Sequence, residues 1–125
     1  MQVRHWVMLG AVNGFVAVSA GAFGAHGLKG RLSGEMLAVF ETAARYQMYH
    51  ALALLAVGWM SSRTKGAASI RWAGWFFLVG IVLFSGSLYA LSISEWRLLG
   101  AVTPLGGVAF LCGWLTLANA ARKML

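Results

Sequence analysis

WAGWFFLVGIVLFSGSLYALSIS, residues 72–94, is a run of 23 residues without a charged side chain, bounded by Arg71 and Glu95. At about 1.5 Å per residue, a helix needs roughly 20 apolar residues to cross the hydrocarbon core of a bilayer. This stretch meets that length by itself. Three further uncharged runs, 6–25, 46–62 and 98–121, share the 125-residue chain with it. Hydrophobic residues make up 60% of the whole, charged residues 10%, and the mean hydropathy is +0.74. Soluble domains carry about 25% charged residues, so this is a membrane composition.

Backbone inside hydrocarbon must satisfy its own hydrogen bonds. Long unbroken apolar runs do so as helices, whereas barrel strands alternate over about 10 residues. The sequence therefore predicts an all-α fold: a single domain, 1–125, forming an integral membrane four-helix bundle. Its spans are expected over about 6–25, 43–62, 72–94 and 98–121. Short connections over 62–71 and 94–97 make neighbouring spans antiparallel. Arg4 ahead of an apolar run, with Ala20 and Ala22, resembles a secretory signal. Three further runs favour a retained span instead. The lone cysteine, Cys112, rules out an intrachain disulfide.

The long connection, 26–45, divides in two. Gly27, Gly30 and Gly34 mark a turn, and Ser33 is placed to cap a helix beginning GEMLAVFETAARYQMYH. The run 46–62 has the bare minimum length, so this helix should start as an interfacial segment and continue into the second span. Met36, Leu37 and Phe40 would pack on lipid or protein. Glu41 and Arg45 stand one turn apart in the favourable order for an ion pair. In the first span Gly10, Gly14, Ala17, Gly21 and Gly24 form a small-residue stripe, and Gly106, Ala109, Gly113 and Thr116 form another in the fourth. Such stripes let helices approach closely. Pro104 removes one helical hydrogen bond and predicts a kink.

A net charge of +7 suggests nucleic acid, but the bases are dispersed over loops and ends instead of forming a dense stripe. Nucleic acid is not expected as a partner. Topology accounts for the bases better. Arg4, Arg63, Lys65, Arg71, Arg122 and Lys123 fall on one side; Lys29, Arg31, Arg45 and Arg97 fall on the other, with Glu35, Glu41 and Glu95. The positive-inside rule then places both termini in the cytoplasm. Trp6, Trp59, Trp72 and Trp75 would lie at the inner interface and Trp96 at the outer.

Antiparallel threading brings His26, Gln47, His50, Ser85, Ser87, Tyr89 and Thr103 to one depth in the outer half of the bilayer. Ionisable groups in a membrane usually face the bundle interior or a wet cavity. Together with Glu41 and Arg45 these residues form the expected ligand-binding set. Glu41, Arg45 and Tyr49 make one arc of the second helix and Thr42, Tyr46 and His50 the next. Gln47 projects further round and is able to bond to another helix. The same residue types also stitch helices together for ~0.6 kcal/mol each with no further role. His26, His50 and Glu41 would suffice as zinc ligands, but no close His-x-x-x-His or Glu-x-x-His spacing supports them.

GAFGAHGL (21–28), YQMYHALALL (46–55), LFSGSLYAL (83–91), LGAVTPLGG (99–107) and a late GWL (113–115) together resemble the domain-of-unknown-function 423 family, the YgdD-like small membrane proteins. The resemblance covers nearly the whole chain. It implies a four-span bacterial inner-membrane protein with relatives in eukaryotic organelles, and no particular activity. His26, Gln47, Tyr49, His50, Ser85, Gly86, Ser87, Tyr89, Thr103, Pro104 and Gly106 occupy its motif positions.

The function expected from all this is binding of a small polar ligand, an ion or a lipid headgroup in an outer-leaflet polar pocket, without catalysis and without a cofactor. A structural or assembly role beside another membrane protein is the alternative, and a metal-dependent membrane enzyme the weaker third. Expected partners are membrane lipid, further copies of the chain, or a membrane protein.

Overall fold

The computed structural model describes residues 1–64 and 67–124. Lys65, counted above among the bases of one side, lies outside the described residues. Helix α1 runs over Val3–His26, α2 over Gly34–Thr64 and α3 over Ala68–Gly80. A π-helical turn, Ile81–Ser85, joins α3 to α4 (Gly86–Ser94); a 3₁₀ turn, Arg97–Ala101, precedes α5 (Thr103–Arg122). Among the described residues there is no strand beyond an isolated bridge between Lys29 and Leu32.

Local chemistry sets most of these boundaries. The backbone N–H of Met36 donates to Ser33 Oγ at 3.1 Å, so Ser33 caps α2 as expected. From there α2 continues for 31 residues without a break. The turn before it passes through Gly30 at φ 85°, a backbone region that favours glycine. At the far end of α4, Glu95 takes the left-handed conformation, φ 57°, and donates its N–H to the Leu91 carbonyl at 2.7 Å.

Three helical stretches are long and apolar enough to cross a membrane: Val3–His26, Ala68–Ser94 and Arg97–Arg122. The expected second span does not reach that standard. Glu35, Glu41 and Arg45, followed by Tyr46, Gln47, Tyr49 and His50, make α2 too polar along its first half. Yet one side of α2 is covered by most of the bundle. It packs on α1, on α3, on α4 and on the π turn, while α5 packs on α3 and the π turn. Gln47 and His50 are buried by those neighbours. Shielding of this kind keeps Gln47 and His50 away from lipid, whereas Glu41, Arg45, Tyr46 and Tyr49 remain exposed.

The core contains Trp6, Leu54, Val57, Ile70, Ala73, Phe77 and Phe110. Large apolar side chains also cover the outside, among them Phe15 and Leu115, each 73% exposed. An outward apolar coat belongs in a bilayer. Because lipid is as apolar as the core, helix association there depends on close packing rather than on burial from water. Glycine provides it. A Cβ on Gly10 would fall 2.9 Å from the Ala51 carbonyl oxygen, and one on Gly106 would collide with the Phe84 backbone. On α5 the stripe is used as expected, with Gly106, Ala109 and Gly113 buried. On α1 it is used in part: Gly10, Ala17 and Gly24 are buried, whereas nothing lies within 4 Å of a Cβ at Gly21.

One expectation is corrected. Pro104 does not interrupt an α-helix, because the 3₁₀ turn ends before it and α5 starts beside it, leaving the proline in the first turn. Its missing N–H would have no helical partner there. Trp6 is buried within the bundle, 0% exposed, its six-membered ring against the bare Gly74 backbone and its side chain edge-on to Trp75 at 6.0 Å. Met36 and Phe40 choose protein over lipid and are buried; Phe40 fills the space left by Gly24 and meets Tyr89 edge-on.

Candidate functional site

Polar residues expected to share one depth meet in three separate hydrogen-bonded links. The longest joins three helices. Asn13 Nδ2 of α1 donates to the Leu9 carbonyl at 2.9 Å, which leaves its Oδ1 as acceptor. Gln47 Nε2 of α2 donates to that oxygen at 3.0 Å, and Tyr89 of α4 donates its hydroxyl to Gln47 Oε1 at 2.7 Å. Each amide thus has one orientation that satisfies both its neighbours.

The second link joins α4 to α5. Ser87 donates to the Phe84 carbonyl at 3.0 Å, and its Oγ lies 2.6 Å from Thr103 Oγ1. The third joins α2 to α5 through His50. Its Nδ1 lies 2.7 Å from the Tyr46 carbonyl oxygen, which only accepts. Its Nε2 lies 3.1 Å from the indole N–H of Trp114, which only donates. These partners define a neutral imidazole with its proton on Nδ1. Phe110 stacks on the ring face at 3.5 Å between centroids, 5° from parallel. Both nitrogens and one face of His50 are therefore engaged.

This arrangement corrects the single polar pocket. Gln47, Tyr89, Ser87, Thr103 and His50 do come together with partners, as donors and acceptors in apolar surroundings must. Ser85 is buried with its hydroxyl unpaired among the described residues. His26 is exposed at the end of α1 and joins none of the links. Glu41 and Arg45 turn to a different groove, of about 310 Å³, between α1 and α2, with Ala17, Gly21, Ala44, Met48 and Tyr49. Of the two arcs of α2, Glu41 and Arg45 line this groove while Tyr46 and His50 line another cavity, and Tyr49 borders both. Nor do Glu41 and Arg45 pair; Arg97 instead pairs with Glu35, 3.4 Å apart at the surface. Among the described residues no group of three His, Cys, Asp or Glu side chains is placed to hold a metal ion, so His26, Glu41 and His50 do not converge as ligands.

What the structure offers in place of a polar pocket is an apolar slot of about 620 Å³ between α2, the π turn and α5. Six rings line it, those of Tyr46, Tyr49, His50, Phe84, Phe110 and Trp114, with Pro104, Gly107, Val108 and Leu111 completing the wall. Val108, Leu111 and Trp114 are exposed, so the slot opens on the outer, lipid-facing surface of the bundle. From Pro104 to Trp114 its α5 wall extends about 15 Å. Phe84 belongs to the π turn, a device often found at functional sites. Asn13, Phe84, Phe110 and Trp114 were missed from sequence. A buried histidine needs partners, and the indole in GWL was the available signal for one of them.

Comparison with known proteins places this architecture. The family model described as a protein of unknown function, DUF423, matches residues 20–107. The chain belongs to that family. A UPF0382 membrane protein of Staphylococcus epidermidis is 51% identical over 121 residues, 97% of this chain and 98% of the relative. The UPF0382 membrane protein YwdK of Bacillus subtilis is 49% identical over 123 residues, 98% of this chain and all of the relative. A third, from Staphylococcus saprophyticus, is 52% identical over 122 residues. No solved structure matches. The chain is thus a membrane protein of a family without an assigned activity. The matched region includes Glu41, Arg45, Gln47, His50, Tyr89 and Thr103, while Asn13, Phe110 and Trp114 lie outside it.

Proposed function

We propose that this is a non-catalytic four-span protein of the bacterial cytoplasmic membrane, with antiparallel neighbours and both termini in the cytoplasm, that holds the hydrocarbon chain of a membrane lipid in the slot beside His50. In this reading α2 is the second span, tolerated in lipid because Gln47 and His50 are bonded inside the bundle and Glu41 and Arg45 stand nearer the end of the span. The observation that carries the proposal is the slot: about 620 Å³, open to lipid, and walled by rings and aliphatic carbons. Its one deeply placed polar group, His50, already has partners for both nitrogens. Such a wall favours hydrocarbon over an ion or a polar metabolite.

Gly107 provides the test. It lines the slot, and a Cβ there would meet Phe84 at an ordinary 4.0 Å, so Gly107→Leu fills the slot without disturbing the helices. Native mass spectrometry after release from nanodiscs should find a retained lipid on the parent and none on G107L. Equal retention on both would overturn the reading.

A second reading, a structural partner of another membrane protein, is favoured by the completeness of the three links, which leave Gln47, Ser87 and His50 no free group for a ligand. A parent chain that carries no lipid but copurifies with one defined membrane protein would support it.

A further inference from the structure

The groove that holds Glu41 and Arg45 shares a wall with the apolar slot. Tyr49 lines both, and Glu41, Arg45 and Tyr49 follow one another at four-residue intervals down the outward face of α2, each step about 6 Å. Resting on the lipid-chain reading above, we propose that the slot and groove bind one molecule, a phospholipid with a zwitterionic headgroup that carries an ammonium beyond its phosphate.

The order of groups supports the assignment. Followed from the start of α2 toward its middle, the face presents a carboxylate, a guanidinium, a phenol and then the ring-lined slot. A zwitterionic phospholipid followed from its surface end inward presents an ammonium, a phosphate, ester carbonyls and then hydrocarbon chains. Each group meets its complement: ammonium with Glu41, phosphate with Arg45, ester carbonyl with the Tyr49 hydroxyl, chain with the slot. Tyr49 makes no hydrogen bond among the described residues, so its donor is available.

Two further features point the same way. Glu41 and Arg45 stand in the spacing and order that favour a mutual ion pair, yet no such pair forms. Both charges are exposed at the groove and remain open to a ligand with both signs. The floor between α1 and α2 is made of Ala17, Gly21 and Ala44, and nothing stands within 4 Å of a Cβ at Gly21. Small residues keep the floor low and leave room for a headgroup to lie against the helices. An anionic headgroup would satisfy Arg45 and be repelled by Glu41, so the pair selects for net neutrality as well as for phosphate.

Nanodiscs containing equal amounts of phosphatidylethanolamine and phosphatidylglycerol provide the experiment, read by native mass spectrometry as the ratio of the two lipids retained on the protein. The parent should favour phosphatidylethanolamine by roughly tenfold, the weight of one charge-assisted contact. Glu41→Gln should erase or reverse that ratio, because Arg45 then meets either phosphate alone, and Arg45→Gln should lower retention of both lipids. Equal ratios on the parent and on E41Q, with retention still abolished in G107L, would overturn the headgroup assignment and leave the slot reading standing. Absence of any lipid from the parent would sink both. Inorganic phosphate added during release separates lipid from free phosphate: displacement by it would show the phosphate group alone to be the ligand and would also overturn the proposal.

Discussion

Gln47 joins α1, α2 and α4 through one side chain, and its replacement leaves two partners unsatisfied at once. Interhelical hydrogen bonds in membranes average ~0.6 kcal/mol and reach ~1.7. Gln47→Leu should therefore destabilise the bundle by about 1–2 kcal/mol, and Ser87→Ala, which removes one interhelical contact, by about 0.6. Reversible unfolding in mixed micelles, followed by circular dichroism, measures both. Ser85 makes the opposite case. Its hydroxyl is buried and has no partner among the described residues, so Ser85→Ala removes a desolvated polar group and loses no bond. It should leave stability unchanged or raise it by up to about 1 kcal/mol. That these residues are polar and lie at similar depth is legible in the sequence, and so is the capacity of Gln47 to reach another helix. Their pairing is not. Trp114 belongs to the late GWL motif and Asn13 lies midway along the first apolar run, and neither position reveals the bond it supplies to Gln47 or His50.

The elements follow local chemistry wherever a cap or a breaker dictates them. Ser33 starts α2, and the unbroken helix from Gly34 was legible from the cap and the residues that follow. Glu95 ends α4 in a conformation that costs a non-glycine residue roughly 1–2 kcal/mol. Glu95→Gly should thus raise stability, by about 0.5 kcal/mol once the added freedom of the unfolded chain is counted. Helix contacts yield a sharper contrast. Gly106→Ala pushes a methyl into the Phe84 backbone and should cost about 1–3 kcal/mol, as overpacking does, whereas Gly21→Ala projects into open space and should be silent in the same unfolding assay. The π turn at Ile81–Ser85 was not foreseen, since LFSGSLYAL reads as ordinary apolar helix. Its place is defined by what lies against it: Gly106 beside the Phe84 backbone, and Gly80 accepting the Phe110 ring. Pro104 was legible as a breaker but not as a beginning, because where a helix starts depends on the 3₁₀ turn before it.

The arrangement of the bundle bears on the proposed topology. With Cys112 replaced by serine, a cysteine introduced at Gln2 should react with an impermeant maleimide only in inverted vesicles, and one at Leu98 only in intact cells. Reaction of both from the same side would refute an α2 that crosses the membrane. Membrane residence, the all-helical class and the approximate limits of three spans follow from the sequence alone, because they depend on run length and on charge, which are properties of the chain read in order. The covering of one side of α2, the division of its polar face between an internal network and an outward charged groove, and the ring-lined slot were decided only in three dimensions. Helix phase settles which of two residues one position apart meets a neighbour and which meets lipid, and phase is determined by the packing of glycines on rings several helices away. A single apolar pattern is compatible with many such packings, and tertiary contact selects among them.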